Sequence, residues 1–258
     1  MVRVHIIGWM RSRFPTGFEL FVLLCVLLPA VSFGDGDAAP SGGERASPPA
    51  SPAAGTATLL GRVPVLARKP APAVKDYGPP PAFKVDAPEP ATSAVWVGSG
   101  SGVIESAKAT PLRIEQRGFQ FRPALAVVQC GTPVVFPNQD QLYHSVFSYS
   151  PTKRFDLGRF RKGEEPDAVV FDKPGQIQLF CEVHEHMRAN LLVVDTPWCA
   201  CTDPEGSFRI EGIAPGKHVV SVWLSPKQTV TREIELAAGQ VLEVDWRDVA
   251  AGAAEPGK

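Results

Sequence analysis

The chain is poor in histidine, methionine and tyrosine, with five, three and three among its 258 residues. So few imidazoles exclude a chemistry spread over several metal centres, each needing its own nitrogen ligands. Charge of one sign is also lacking: 26 Lys and Arg stand against 27 Asp and Glu, a formal net charge of −1. That balance leaves no electrostatic footprint for phosphate, so nucleic acid is excluded as an expected partner. The N-terminal apolar run 20–31 falls short of the roughly 20 residues a spanning helix needs, and Pro29 interrupts it. Beyond it no segment shows helical periodicity, which excludes an α-rich core.

What is present begins with an address. Arg3, Arg11 and Arg13 precede the apolar run, and Ala30, Ser32 and Gly34 follow it. This order reads as a secretory signal peptide over residues 1–34, cleaved near 32–34, and makes the mature chain periplasmic or otherwise exported. Met10 is an alternative start, and a retained anchor is the competing reading. Cys25 leaves with the signal, and Leu24 before it is too large for a lipidation site. Cys130, Cys181, Cys199 and Cys201 remain, in a compartment that permits disulfides.

Residues 35–102 are rich in Pro, Ala, Ser and Gly and read as a linker, too poor in apolar side chains to offset its ordering entropy. Within it, 56–67 (TATLLGRVPVLA) stands out as a candidate strand. From residue 103, short apolar or alternating runs at 112–121, 125–128, 133–136, 168–171, 177–180 and 191–194 are separated by turn residues. Many short strands without a helical period predict an all-β sandwich over 103–196. A second texture covers 197–248, with turns at 203–206 and 215–216 and alternating runs at 207–210, 219–223, 229–236 and 241–246. Residues 249–258 read as a flexible tail.

The densest chemistry is Cys181-Glu182-Val183-His184-Glu185-His186-Met187, directly after an apolar run. It offers a thiolate, imidazoles and a thioether in one loop, and His144 upstream adds a further imidazole beside its own strand, Val146-Phe147. Soft sulfur with imidazole suits copper cycling between Cu(I) and Cu(II), and a His₂Cys plane with a long, weak axial Met is the blue-copper arrangement. His186 rivals Met187 for the axial position and is otherwise expected to face solvent or a partner. The bland alternative is a buried Cys and a core Met.

These residues resemble the cupredoxins. The loop is most similar to the compact C-x2-H-x2-M of amicyanin-like members, relatives of plastocyanin of the methylamine-utilization type, Arg188 after the Met included. Gly131-Thr132-Pro133-Val134-Val135-Phe136-Pro137-Asn138 and Phe171-Asp172-Lys173-Pro174-Gly175 extend the likeness over residues 103–196. The resemblance implies a cupredoxin Greek-key β-sandwich with one type 1 copper ion on His144, Cys181, His184 and Met187. It implies one-electron transfer rather than an enzyme, and a redox partner such as a c-type cytochrome, a dehydrogenase or an oxidase. One position departs: Ser145 stands where many cupredoxins carry an Asn that ties the two ligand loops, and its hydroxyl is expected to supply part of that tie.

Residues 202–223 resemble a carboxypeptidase regulatory-like (transthyretin-like) β-sandwich module, structural or adhesive in role, with His218 at a packing position. About 50 residues is short for a complete sandwich, so 56–67 is expected to return as its missing edge strand. Cys199-Ala200-Cys201 offers two metal donors without a third or fourth. Bridging them is strained, which leaves pairing with Cys130 or three buried thiols. The basic run at Lys153, Arg154, Arg159, Arg161 and Lys162 reads as a solvated loop, with a docking patch for an acidic partner as the alternative. Two other functions compete: copper trafficking or storage, served by an exposed His186 and Cys199/Cys201, and a cell-surface interaction protein using the fold as scaffold. Multicopper oxidases and copper nitrite reductases need more than His144, His184, His186 and His218.

Overall fold

Alternation of apolar and polar residues along short runs dictates strands, and the computed structural model has strands and no helix among the described residues, which are 55–67, 85–99 and 110–248. The predicted signal peptide, most of the predicted linker and the tail lie outside them. In chain order the strands are β1 (Ala57–Arg62), β2 (Ala94–Ser99), β3 (Leu112–Arg113), β4 (Glu115–Gln116), β5 (Phe121–Arg122), β6 (Leu125–Gln129), β7 (Pro133–Val135), β8 (His144–Ser148) and β9 (Phe155–Phe160). There follow β10 (Val169–Val170), β11 (Gly175–Phe180), β12 (Arg188–Val194), β13 (Cys199–Cys201), β14 (Ser207–Ile213), β15 (Gly216–Ser225), β16 (Gln228–Leu236) and β17 (Val241–Asp245). All belong to one compact unit. No helix among the described residues is long and apolar enough to cross a membrane.

Strands β3 to β12 build a first sandwich. One sheet runs β10-β7-β3, the other β6-β12-β11-β8-β9, and β4 pairs with β5 beside them. Between the sheets lies a core that includes Phe121, Phe136, Phe171, Ile177, Leu179 and Leu191. Strand periodicity sets what points inward. On β11, Ile177 and Leu179 are fully buried while Gln178 between them is exposed, and the next inward position is Cys181. On β8 the inward set is His144, Val146 and Ser148, all fully buried. The fold thus aims both side chains at the same interior.

The remaining strands build a second sandwich from sheets β14-β1-β17 and β13-β2-β15-β16 around Leu59, Val95, Val97, Ile213, Val220 and Leu236. Two sequence expectations need correction. The run at 56–67 was expected as an edge strand, but β1 is central, antiparallel to β14 and parallel to β17. It packs so close to β17 that a Cβ at Gly61 would run into the Val244 carbonyl. Ala94–Ser99, inside the stretch read as linker, is also central, between β13 and β15. Its partners lie more than a hundred residues downstream, so no local pattern advertises the pairing. The first sandwich is therefore inserted between β2 and β13 of the second instead of simply preceding it.

The two sandwiches share a small apolar junction of Ala94, Leu125, Leu192 and Trp223, flanked by Trp96 and Val127. Trp223 Nε1 donates to Gln176 Oε1 across it at 3.3 Å. By strand alternation Leu125, Val127 and Leu192 face the junction, while Ala126, Val128, Leu191 and Val193 face the first core.

Candidate metal centre

Three donor atoms converge at one end of the first sandwich. His144 opens β8, Cys181 immediately follows β11, and His184 lies in the loop leading to β12. Their ligand atoms all lie within 4.8 Å of one another. His144 Nδ1 and His184 Nδ1 are 3.0 Å apart, and Cys181 Sγ is 3.9 Å from the first and 3.8 Å from the second. Metal–nitrogen and metal–sulfur bonds of about 2.0–2.3 Å place the donors of a trigonal plane about 3.5–3.8 Å apart. The two N···S separations are close to such a plane, and the N···N separation, 3.0 Å, is about half an ångström tighter. Soft sulfur with two imidazoles is a copper donor set.

The loop is closed on itself. Met187 N–H donates to His184 O at 2.9 Å, and Cys181 N–H donates to Met187 O at 3.3 Å. Met187 is fully buried in the same core as Cys181. Arg188 then pairs with Phe180 in the β11–β12 ladder and lays its guanidinium over the Phe180 ring, 5.6 Å from its centroid.

Ser145 supplies the inter-loop tie. Its Oγ accepts from Glu182 N–H at 2.8 Å, and its own N–H points at Cys181 Sγ at 3.5 Å. Donors aimed at sulfur stabilise a thiolate. Burial pushes the Cys181 thiol up, but hydrogen bonds from His144, His184 and the Ser145 backbone together outweigh it and hold the group at about 5. Burial pulls His144 down, yet its bonds to Cys181 and Asp140 win and raise it.

Asp140 was not singled out from the sequence. Its Oδ2 accepts from His144 Nε2–H at 2.9 Å, which fixes the ring with Nδ1 facing the other donors. The same carboxylate accepts Gly118 N–H on Oδ1 at 2.7 Å and Phe119 N–H on Oδ2 at 2.9 Å. Fully buried Asn138 in turn accepts Asp140 N–H at 2.8 Å and donates to Leu142 O and Phe160 O. The only signal was a polar loop, residues 138–142, just ahead of His144.

Phe119 was missed too. It adopts a left-handed backbone, φ 60°, the one non-glycine with positive φ among the described residues, at a cost of about 1–3 kcal/mol. Its ring stands edge-on to His144 and His184, with centroids 5.8 and 5.1 Å away. His186, expected at the surface, is instead buried and donates Nε2–H to Phe119 O at 3.1 Å. A backbone acceptor inside the loop captures it, so Phe119 takes the role expected of solvent.

The other sequence candidates are placed as follows. Cys199 and Cys201 share one face of β13 by strand alternation. No third His, Cys, Asp or Glu donor joins them among the described residues. Burial, with Cys201 nearby, pushes the Cys199 thiol up to about 11. Cys130 and Cys199 are free thiols. His218 is buried, donates to Ala214 O at 2.7 Å and packs edge-on to Trp198. In the basic run, Arg159 pairs with Glu182, Arg161 with Glu164 and Lys153 with Asp172. The run is not a loop throughout, since Phe155–Phe160 forms β9 with Arg159 on it, but these charges are solvent-exposed and paired within the chain.

No protein-family model matches the chain, and no curated protein is significantly similar to it. Among solved structures, a Cu-containing nitrite reductase from Thermus scotoductus SA-01 is 22% identical over 39% of this chain, with a TM-score of 0.32. The chain spans only 25% of that protein's length. A reduced Cu(I) form of an amicyanin variant is 16% identical over 39% of this chain and 98% of its own, with a TM-score of 0.31. An oxidized amicyanin variant is 17% identical over the same shares, also at 0.31. By its own strand order and the end at which its donors meet, the inserted sandwich of this all-β chain is cupredoxin-like.

Proposed function

We propose that the protein is an exported type 1 copper protein that carries single electrons. The observation behind this reading is the convergence of His144 Nδ1, His184 Nδ1 and Cys181 Sγ, with the thiol already biased toward the thiolate a metal needs. His144, Cys181 and His184 would hold the ion, and fully buried Met187 would be its weak fourth ligand. Bound there, copper supplies a Cu(II)/Cu(I) couple. The chain's part is to keep the donors fixed through Asp140 and Ser145 and to exclude water, so that little moves when an electron arrives or leaves. Half-buried His184, next to exposed Val183, gives a redox partner the shortest approach. A c-type cytochrome, a dehydrogenase or an oxidase fits that role, and the N-terminal sequence fits periplasmic work. Burial of His186 and the raised Cys199 thiol weaken the trafficking alternative, which needed both groups available.

Copper loading followed by visible spectroscopy tests the reading. An intense absorption in the orange-red, lost in Cys181→Ser, is expected; a colourless copper-loaded protein sinks it.

A further inference from the structure

The Phe119 ring is an apolar side chain set against two polar donors, in a backbone conformation that phenylalanine rarely adopts. Three anchors hold it. Its N–H donates to Asp140 Oδ2 at 2.9 Å, its carbonyl accepts from buried His186 at 3.1 Å, and the preceding Gly118, φ 63°, gives its N–H to Asp140 Oδ1. Gly118 is itself confined, since a Cβ there would strike the Asp86 side chain. The ring contacts both imidazoles edge-on, within the separation range of a specific aromatic pair. The two imidazoles stand 4.8 Å apart between centroids, so one ring braces the pair. The ring is itself buried, at 8% exposure, against the fully buried His144. Asp140 thus anchors His144 and the brace through one oxygen.

Backbone strain kept at a site by surrounding bonds is a reason to look for a role there. We infer that Phe119 is a positioning residue that fixes the His144–His184 pair and closes the metal centre to small external ligands, so that electrons pass without any ligand entering. The inference builds on the copper reading above. It assigns to the turn 117–119 a function separate from holding the metal: His144, Cys181 and His184 hold the ion, and Phe119 sets who else reaches it.

Two substitutions separate the ring from the backbone. Phe119→Gly removes the ring and suits a φ of 60°, so the turn is kept. Phe119→Leu keeps apolar bulk. Copper-loaded forms are titrated with azide, and the visible band is followed. The wild-type and Phe119→Leu bands should stay unchanged, whereas the Phe119→Gly band should shift and saturate. A wild-type band that responds to azide, or a folded, coloured Phe119→Gly that does not, overturns the inference. The metal-free proteins give an independent arm. In a crystal structure of Phe119→Gly, the His184 ring should lose its single orientation and its 3.0 Å approach to His144 Nδ1. If that ring is unmoved, Phe119 does not position it. A wild-type protein that takes up copper without colour defeats the copper reading instead, and the metal-free arm still decides the role of Phe119.

Discussion

Ser145 and Glu182, separated by 37 residues, are joined by one hydrogen bond, from the Glu182 N–H to the Ser145 Oγ at 2.8 Å. The bond staples the start of β8 to the loop that carries Cys181 and His184. Ser145→Ala removes the acceptor and strands a part-buried N–H, a loss of about 1–3 kcal/mol. In thermal melts of the metal-free protein, the midpoint should fall by about 2–4 °C per kcal/mol. Ser145→Asn, which again offers a side-chain acceptor, should recover much of it. An Ala variant that melts like wild type refutes the tie.

The Cys181 thiol gives metal-free protein a definite pH signature. Its folded value, about 5, lies below the ordinary 9.0 of a free thiol. A depressed acid contributes stability that is complete above pH 9, declines as the pH falls, and is gone below about 5. His144 runs the other way: its raised value adds stability below 6.5 that is lost as the pH rises through it. Ultraviolet thiolate absorbance should therefore appear near pH 5 and vanish in Cys181→Ser. The stability difference between wild type and that variant should widen from pH 5 toward 9. A thiolate step near 9 contradicts the geometry.

Met187→Leu tests the fourth donor. The side chain is fully buried, and this swap nearly conserves volume, so it should cost less than about 1.5 kcal/mol. Copper should stay bound while the reduction potential rises, because a sulfur donor that favours Cu(II) is gone. Voltammetry and metal analysis check this, and loss of copper would show that Met187 bears more of the ion than a weak ligand does.

Deleting residues 56–67 removes the centre of the β14-β1-β17 sheet and fully buried Leu59. The second sandwich should lose its cooperative unfolding, and limited proteolysis should cut within 199–248. Equal melting and equal protease resistance would mean that β1 is dispensable.

The donor set could be read from the sequence because its chemistry is local: Cys181, His184 and Met187 share one loop, and strand alternation aims Cys181 and His144 inward. What could not be read depends on contacts between distant segments. Asp140, Phe119 and His186 form one hydrogen-bonded group spanning residues 119–186, and none is unusual in its own neighbourhood. His186 looked exposed because its captor, the Phe119 carbonyl, is 67 residues away. Likewise β2 was hidden among small residues, and its link to the C-terminal strands includes a bond from Ser93 N–H to Thr202 Oγ1 across 109 residues.

The insertion also imposes an order of assembly. β1 and β2 lie early in the chain, but the strands that complete their sheets, β13 to β17, come last. Closing a flexible loop of about a hundred residues carries an entropic cost that grows with the logarithm of its length. A sandwich that folds first as its own unit draws its ends together, because β2 and β13 are neighbours paired from Ala94 to Cys201. The metal-binding half thereby becomes a rigid bridge for the other half. A lesion that slows its folding would leave two orphan strands, β1 and β2, open to pairing with other molecules.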